Sequence, residues 1–397
     1  MLPLAGMKVI DLSTVVFGPL AGQILADYGA DVIKVEAPEG DLTRAIGPAS
    51  EPGMAAMFIG VNRNKRGLAI DLKTAEGRAA LHRLLGSADV LMHNIRPQKL
   101  AAIGLSPAEL TAAHPRLVYA ALVGFGEDGP YAGNPAFDDI IQGLSGFAAL
   151  MELRHGQPDY FPTIAADKIC AQAAAHAILA ALVGRGRSGR GGYVEIPMFE
   201  TVTAFNLAEH FYGMHFDPPL AAPGYARLLN KWRAPFQTSD GHVCMMPYSD
   251  ANWRDFFTEA GQPEIAADPR FTTLRERTVH SSALYGAAAE VIRTRSTEEW
   301  LAVCRRLDIP AARINSLADL FSDPHLAAVD FFRTVDDGRG GQLRLARGAI
   351  RFDGETAELK PPPRLGEHSR EVLAEAGFAA AEIDALVAAG AVRVAKT

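Results

Sequence analysis

The longest hydrophobic run in the chain has helical character. From Lys168 to Val183 the residues are mostly Ala, Ile, Leu and Val, without a proline or glycine. Lys168, Gln172 and His176 recur every four positions, which puts them on a single stripe of a helix. A helix apolar on every other side is normally buried in a larger core. Asp167 precedes the run, where a carboxylate can cap a helix N-terminus. Two neighbours weaken that reading. Lys168 opposes the helix dipole, and Cys170 stands where a capping box wants Glu or Gln. The pattern leaves open whether Asp167 caps or reacts.

Shorter apolar runs alternate with helical patterns through the first 125 residues. Residues 7–12 (MKVIDL) read as a buried strand, 13–18 as a turn, 19–28 as a helix closed by Gly29, and 31–36 (DVIKVE) as a second strand. Such a βαβ unit implies a parallel sheet covered on both faces. Further strands are expected at 68–72, 89–94 and 116–125. Helices are expected at 74–85 and after Ser106, where Ser106-Pro107-Ala108-Glu109 spells a good helix start. This part is predicted to be a doubly wound, Rossmann-like α/β domain.

A Gly/Pro-rich loop at 124–134 then follows the fifth strand's carboxyl end, a usual place for a binding loop. Beyond it the pattern predicts a helix at 138–150, the apolar helix, a basic flexible turn at 184–192, a strand at 193–198 and a helix at 199–211. The large domain's N-terminal part is therefore 1–217, and the proline-bearing stretch 218–234 reads as a linker. Residues 235–335 read as a smaller α+β domain, with a hairpin at 235–247 and helices near 251–260, 280–295 and 297–307. Residues 336–397, with a strand at 342–352, a proline run and two terminal helices, are expected to link back to the large domain.

Composition narrows the function classes. A chain of 397 residues has room for two domains, and 48% hydrophobic with 21% charged residues leaves no case for global disorder. The formal net charge of −7 argues against a protein that coats nucleic acid. Cys170, Cys244 and Cys304 lie far apart with no CxxC pair, which suits reduced thiols. The N-terminus lacks the basic and apolar regions of a signal peptide, and no run is expected to span a membrane. The expected setting is cytoplasmic, with neither nucleic acid nor membrane as partner.

Several familiar chemistries fail on spacing. Glu36 ends the second strand, where a dinucleotide site places its ribose-binding acid, but the turn Ser13-Thr14-Val15-Val16-Phe17-Gly18-Pro19 lacks the glycine fingerprint. Gly143-Leu144-Ser145-Gly146 misses the spacing of a nucleophile elbow. The histidines form no HExxH pattern, so no metal is expected. A buried Cys170 would be an inert thiol. Arg44, Arg63, Lys65, Arg66, Lys73 and Arg96 lie near the ends of successive strands. Together they suggest a polyphosphate ligand at one sheet edge.

The segments GMKVIDLS, GPLAGQILADYGADVIKVEAP, NRNKRGLAIDLK, ADVLMHNIRP, HPRLVYAALVGFGEDGPYAGNPAFDDIIQGLSG and PPPRLGEHSREVL occur in this order. With them the chain resembles the family III coenzyme A transferases (the CaiB/BaiF family) over nearly its whole length. The resemblance implies an acyl-CoA:carboxylate CoA-transferase with Asp167 as nucleophile, working through a mixed anhydride and then an aspartyl-CoA thioester. Coenzyme A or acyl-CoA would be a substrate, with no permanently bound cofactor. By matching motif, CoA would lie along Val16 and Phe17, Ile70, Asp71, Leu72 and Lys73, Asn94, Ile95 and Arg96, and Pro135, Ala136, Phe137 and Asp138. The resemblance also implies an interlocked, ring-like homodimer.

Some positions depart from the family pattern. Ala37 and Ala102-Ile103 replace basic residues seen in some members, and no glycine-run loop lies between Asn230 and Gly241, which argues against formyl transfer. An α-methylacyl-CoA racemase of the same fold would need a His-Asp pair at Phe137-Asp138, and phenylalanine cannot act as a base. A non-catalytic CoA-binding protein is the third reading, against which the presence of Asp167 argues. Residues 152–162 are expected to shape the acyl pocket, with Arg154 or His155 meeting a second carboxylate.

Overall fold

The computed structural model describes residues 1–395 and divides into two compact units. The first holds 1–145, 161–205 and the chain from 327 onward; the second holds 146–160 and 206–326. These boundaries differ from the expected ones. Residues 218–234 belong to the second unit rather than forming a linker: Arg227 Nε donates to the Tyr285 hydroxyl at 2.8 Å, and Trp232 packs on that unit's core. Residues 327–335 lie in the first unit, where Phe332–Asp336 pairs with Gln342–Ala346 as a hairpin.

The first unit is built on a seven-stranded sheet. Six strands come in chain order as β1 (Lys8–Asp11), β2 (Asp31–Glu36), β3 (Lys65–Ile70), β4 (Val90–His93), β5 (Val118–Val123) and β6 (Gly192–Pro197). They lie in the spatial order β3-β2-β1-β4-β5-β6, all parallel. The short strand Val392–Arg393 pairs antiparallel on the outside of β3. That terminal strand was absent from the sequence reading, being too short to show a periodicity. The apolar runs that predicted strands are buried on both faces, with Ile10, Ile33, Leu68, Leu91 and Tyr119 almost fully covered. Each such side chain contributes roughly 1.5–3 kcal/mol.

Helices cover both faces. Ala75–Leu85, Ser369–Glu375 and Ala380–Ala388 pack with the strands on one side through Leu81, Leu84, Leu373 and Ile383. Phe17–Asp27 packs against the long helix Ala165–Ser188. The long helix buries Ala166, Cys170, Ala171, Ala174, Ala175 and Ile178, and exposes the predicted polar stripe Lys168, Gln172 and His176. It continues through the glycine-rich stretch expected to be a turn. Arg185 is buried in an ion pair with Asp89 at 2.8 Å, and the helix stops only at Gly189, whose φ of 73° suits a left-handed C-cap. The 24-residue helix is long and apolar enough to cross a membrane by length and composition alone, which the sequence reading missed. One face of it packs on Phe17–Asp27, and 33% of its most apolar window is buried within the protein.

The helix expected at 138–150 is two helices, Asp138–Leu144 and Phe147–His155, parted at Gly146 with φ +90°. In the second unit, Phe236–Gln237, His242–Met245 and Ala311–Arg313 form an antiparallel sheet. Its core gathers Trp253, Phe256, Phe257, Tyr285 and Trp300, and the Trp300 indole donates to the Ile292 carbonyl at 2.7 Å.

Candidate active site

The chain runs outward from β1 to β3 and then crosses back to place β4 on the other side of β1. Adjacent connections therefore leave in opposite directions, opening a crevice at the carboxyl ends of β1 and β4 where open α/β sheets bind ligands. A cleft of about 540 Å³ lies there, walled by Thr14 and Val15 after β1, Asn94 to Arg96 after β4, and Leu122 to Phe125 at the end of β5. Leu42, Lys99, Glu127 and residues 133–137 complete it. Asn94 ties the first two walls together. Its Oδ1 accepts from the Thr14 amide at 2.9 Å and its Nδ2 donates to the Thr14 carbonyl at 2.8 Å. Val15 holds φ +71°, a left-handed conformation that costs a β-branched residue about 1–3 kcal/mol and that surrounding structure must enforce.

Of the residues expected to meet CoA, Asn94, Ile95, Arg96, Pro135, Ala136 and Phe137 line this cleft. Val16 and Phe17 are buried at the start of Phe17–Asp27, so Val15 takes their place on the wall. Ile70, Asp71, Leu72 and Lys73 are not on the wall. They turn from β3 into Ala75–Leu85, with Ile70 paired to Val392 and the Asp71 amide bonded to Ala391. Asp138 does not line the cleft and lies instead against Asp167.

The six basic residues do not form one anion site. Arg44 is buried, makes two 2.7 Å bonds to Glu36 and lies 3.6 Å over the Phe58 ring. Glu36, suggested for a ribose, is therefore occupied. Arg63 pairs with Asp27, Lys65 with Asp11 at 2.9 Å, and Arg66 with Asp31, Glu371 and Glu375. Chain position could not show this, because each partner lies on a different element. Lys73 and Arg96 make no ion pair among the described residues, and neither does Lys99, which the sequence reading passed over. Arg96 and Lys99 give the cleft its positive charge, while burial and Glu195 push the Glu127 carboxyl up.

Geometry shows that Asp167 is not the N-cap of the long helix. The long helix starts at Ala165, with Ile164 at the N-cap and no side chain capping from there. Asp167 is its third residue. Capping comes from Asp138, at the first position of Asp138–Leu144, whose Oδ1 accepts the Asp167 amide at 3.0 Å. Asp138 Oδ2 accepts from Gln142 Nε2 at 2.6 Å. Gln142, buried and unremarked in the sequence, also accepts from the Phe161 amide at 2.8 Å and donates to the Thr163 carbonyl at 3.2 Å. It thereby fixes the segment leading into Asp167.

Asp167 is left 8% exposed, and among the described residues no hydrogen bond reaches its carboxyl. Burial, and then the neighbouring charge of Asp138, raise its pKa to about 7. Burial likewise pushes the Cys170 thiol well up, as expected of an inert cysteine. A buried carboxyl without donors among the described residues is a candidate nucleophile or proton carrier.

The comparisons with known proteins agree with this architecture. The model of CoA-transferase family III matches residues 4–369. The chain is 34% identical to the succinate–glutarate CoA-transferase of Agrobacterium fabrum, covering 94% of this chain and 95% of that one. It is 32% identical to the succinyl-CoA–D-citramalate CoA-transferase of Chloroflexus aurantiacus, over 94% of each. The crystal structure of a CaiB/BaiF family protein from Brucella suis superposes with a TM-score of 0.78 at 32% identity, covering 94% of this chain and 99% of that one. The chain belongs to CoA-transferase family III. It is thus an enzyme of CoA transfer, acting on CoA thioesters and carboxylic acids.

Proposed function

We propose that this enzyme is an acyl-CoA:carboxylate CoA-transferase that works through a covalent intermediate on Asp167. The observation that carries the reading is the buried Asp167 carboxyl, unbonded at the mouth of a core helix that Asp138 caps in its stead. In the ionised form one carboxylate oxygen attacks the thioester carbonyl. The C–S bond breaks, CoA leaves as thiolate, and a mixed anhydride remains. The thiolate then attacks the aspartyl carbonyl, giving aspartyl-CoA thioester and releasing the first acid. The acceptor's carboxylate retraces these steps. Removal from water and rigid mounting favour a weak nucleophile, and a raised pKa makes the ionised form more basic.

CoA is assigned to the switch-point cleft, with Arg96 and Lys99 meeting its phosphates. The substrates named for the relatives support a dicarboxylic acid as donor or acceptor. The reading includes a cytoplasmic homodimer, which would cover apolar positions such as Val183 that the long helix leaves on its surface. A racemase is disfavoured by Phe137, which sits beside Asp138 and offers no base.

The test is incubation with acyl-CoA alone, followed by hydroxylamine and peptide mass spectrometry. A hydroxamate on the peptide carrying Asp167 is expected. CoA exchange between two acids that survives Asp167→Ala overturns the assignment, and α-proton exchange with solvent would favour the racemase.

A further inference from the structure

Thr14 and Val15 form the wall of the cleft after β1, and side chains serve nearly all of the backbone of residues 13–15. The Ser13 amide donates to Asp11 Oδ1 at 2.9 Å, and the Ser13 carbonyl accepts from Lys34 Nζ at 2.9 Å. Asn94 takes both polar groups of Thr14. The Val15 amide donates to Asp41 Oδ2 at 3.2 Å. Lys34 and Asp41 also pair with each other at 3.0 Å, both fully buried. Behind them Glu36 Oε2 accepts the Asp41 amide at 2.8 Å and is itself clamped by Arg44. Asp11 is held from the other side by Lys65.

We propose that Lys34 and Asp41 are positioning residues of the CoA site. Their buried ion pair holds residues 13–15 in the strained turn that sets Thr14 and Val15 on the cleft wall, and neither touches the ligand. The inference rests on the reading of the cleft as the CoA site. Apolar side chains at these positions would leave the Ser13 carbonyl and the Val15 amide without partners. A single charge would be stranded without water. The pair solves both problems, because each ion neutralises the other and directs a remaining hydrogen bond at the loop. Val15 at φ +71° is the strained residue such a clamp has to restrain.

The test is the double variant Lys34→Met/Asp41→Asn, which removes both charges together and strands neither. Expected are retained cooperative unfolding and an acyl-CoA KM raised about tenfold with kcat within about threefold, the sign of lost ground-state binding. CoA affinity by calorimetry falls in parallel, and amide exchange at Thr14 and Val15 quickens while β1 keeps its protection. Lys34→Gln/Asp41→Asn is the milder second variant, since it also strands neither charge and keeps amides that can bond the loop, with the same split. Adding Val15→Gly to it restores part of the affinity, since glycine takes the positive φ without strain. Unchanged CoA affinity or unchanged exchange at residues 14 and 15, in either folded variant, overturns the proposal. If the wild type binds no CoA, the reading of the cleft fails, and the exchange data still decide whether the pair holds the loop.

Discussion

Two groups of buried carboxylates in the first unit have opposite fates. Beneath residues 13–15, Asp11, Glu36 and Asp41 face Lys65, Arg44 and Lys34, so the charges balance. Burial pushes Asp11 and Asp41 up, but the lysines and nearby donors outweigh it and hold both below the ordinary carboxylate range. At the mouth of the long helix, the charge that bears on Asp167 is that of another carboxylate, Asp138, to which Gln142 Nε2 and the Asp167 amide donate. Both sites are dry. The difference teaches that burial alone does not decide a carboxylate's role; the partners do. Paired acids bond to residues 13–15, and the unpaired one is left with a raised pKa.

The largest effect that could break this contrast is on catalysis. Asp167→Asn should lower CoA transfer by roughly 10⁴-fold or more in steady-state assays, as for a lost nucleophile. Next, Lys65→Met should cost about 3–5 kcal/mol in urea unfolding at pH 7, because it strands Asp11 in the core. Loss of under 1 kcal/mol, roughly a surface value, would show the paired cluster to be no different from surface charge.

The same Asp167→Asn variant should be more stable than the wild type at alkaline pH. Folding raises the carboxyl from 3.8 to about 7, so the folded state disfavours its ionised form. That burden is absent below about pH 4, grows between the two values, and is complete above pH 7. Urea titrations at pH 8 should therefore show a gain of about 2–4 kcal/mol that vanishes at pH 4.

A smaller effect concerns Asp138, the second cause of the shift. In the wild type, kcat/KM for acyl-CoA should rise with pH through a limb near 7 as Asp167 ionises. Asp138→Asn keeps an oxygen for the Asp167 amide but removes the charge, and should move that limb down by about one unit. An unmoved limb would assign it to another group. Smallest, Arg96→Gln and Lys99→Gln should each raise the acyl-CoA KM about fivefold, with kcat little changed and the difference shrinking in high salt.

Much of the fold was legible because its signals are local. The runs at 7–12 and 31–36, the helix start at Ser106, and the helical stripe of Lys168, Gln172 and His176 all involve neighbours within a turn or two. Errors arose where distant contacts prevail. Arg185 carries the long helix through a glycine-rich stretch by pairing with Asp89, and Arg227 anchors in the second unit a segment that reads as a linker. Asn94 to Arg96, singled out through the family motif, line the cleft, whereas Lys99 and Gln142 carry no motif of their own.

By itself, the sequence determined the parallel α/β sheet, the family, and the position of one aspartate before a long apolar helix, because periodicity and motif are properties of adjacent residues. Only the tertiary structure decided whether that aspartate caps the helix. Asp138, twenty-nine positions earlier, takes over the capping bond and leaves Asp167 without a donor. Likewise only the structure sorted the basic residues, placing Arg44 and Lys65 in buried pairs and leaving Arg96 and Lys99 for the cleft. Charge and burial act through space, so the partner that sets a side chain's chemistry need not lie near it in the chain.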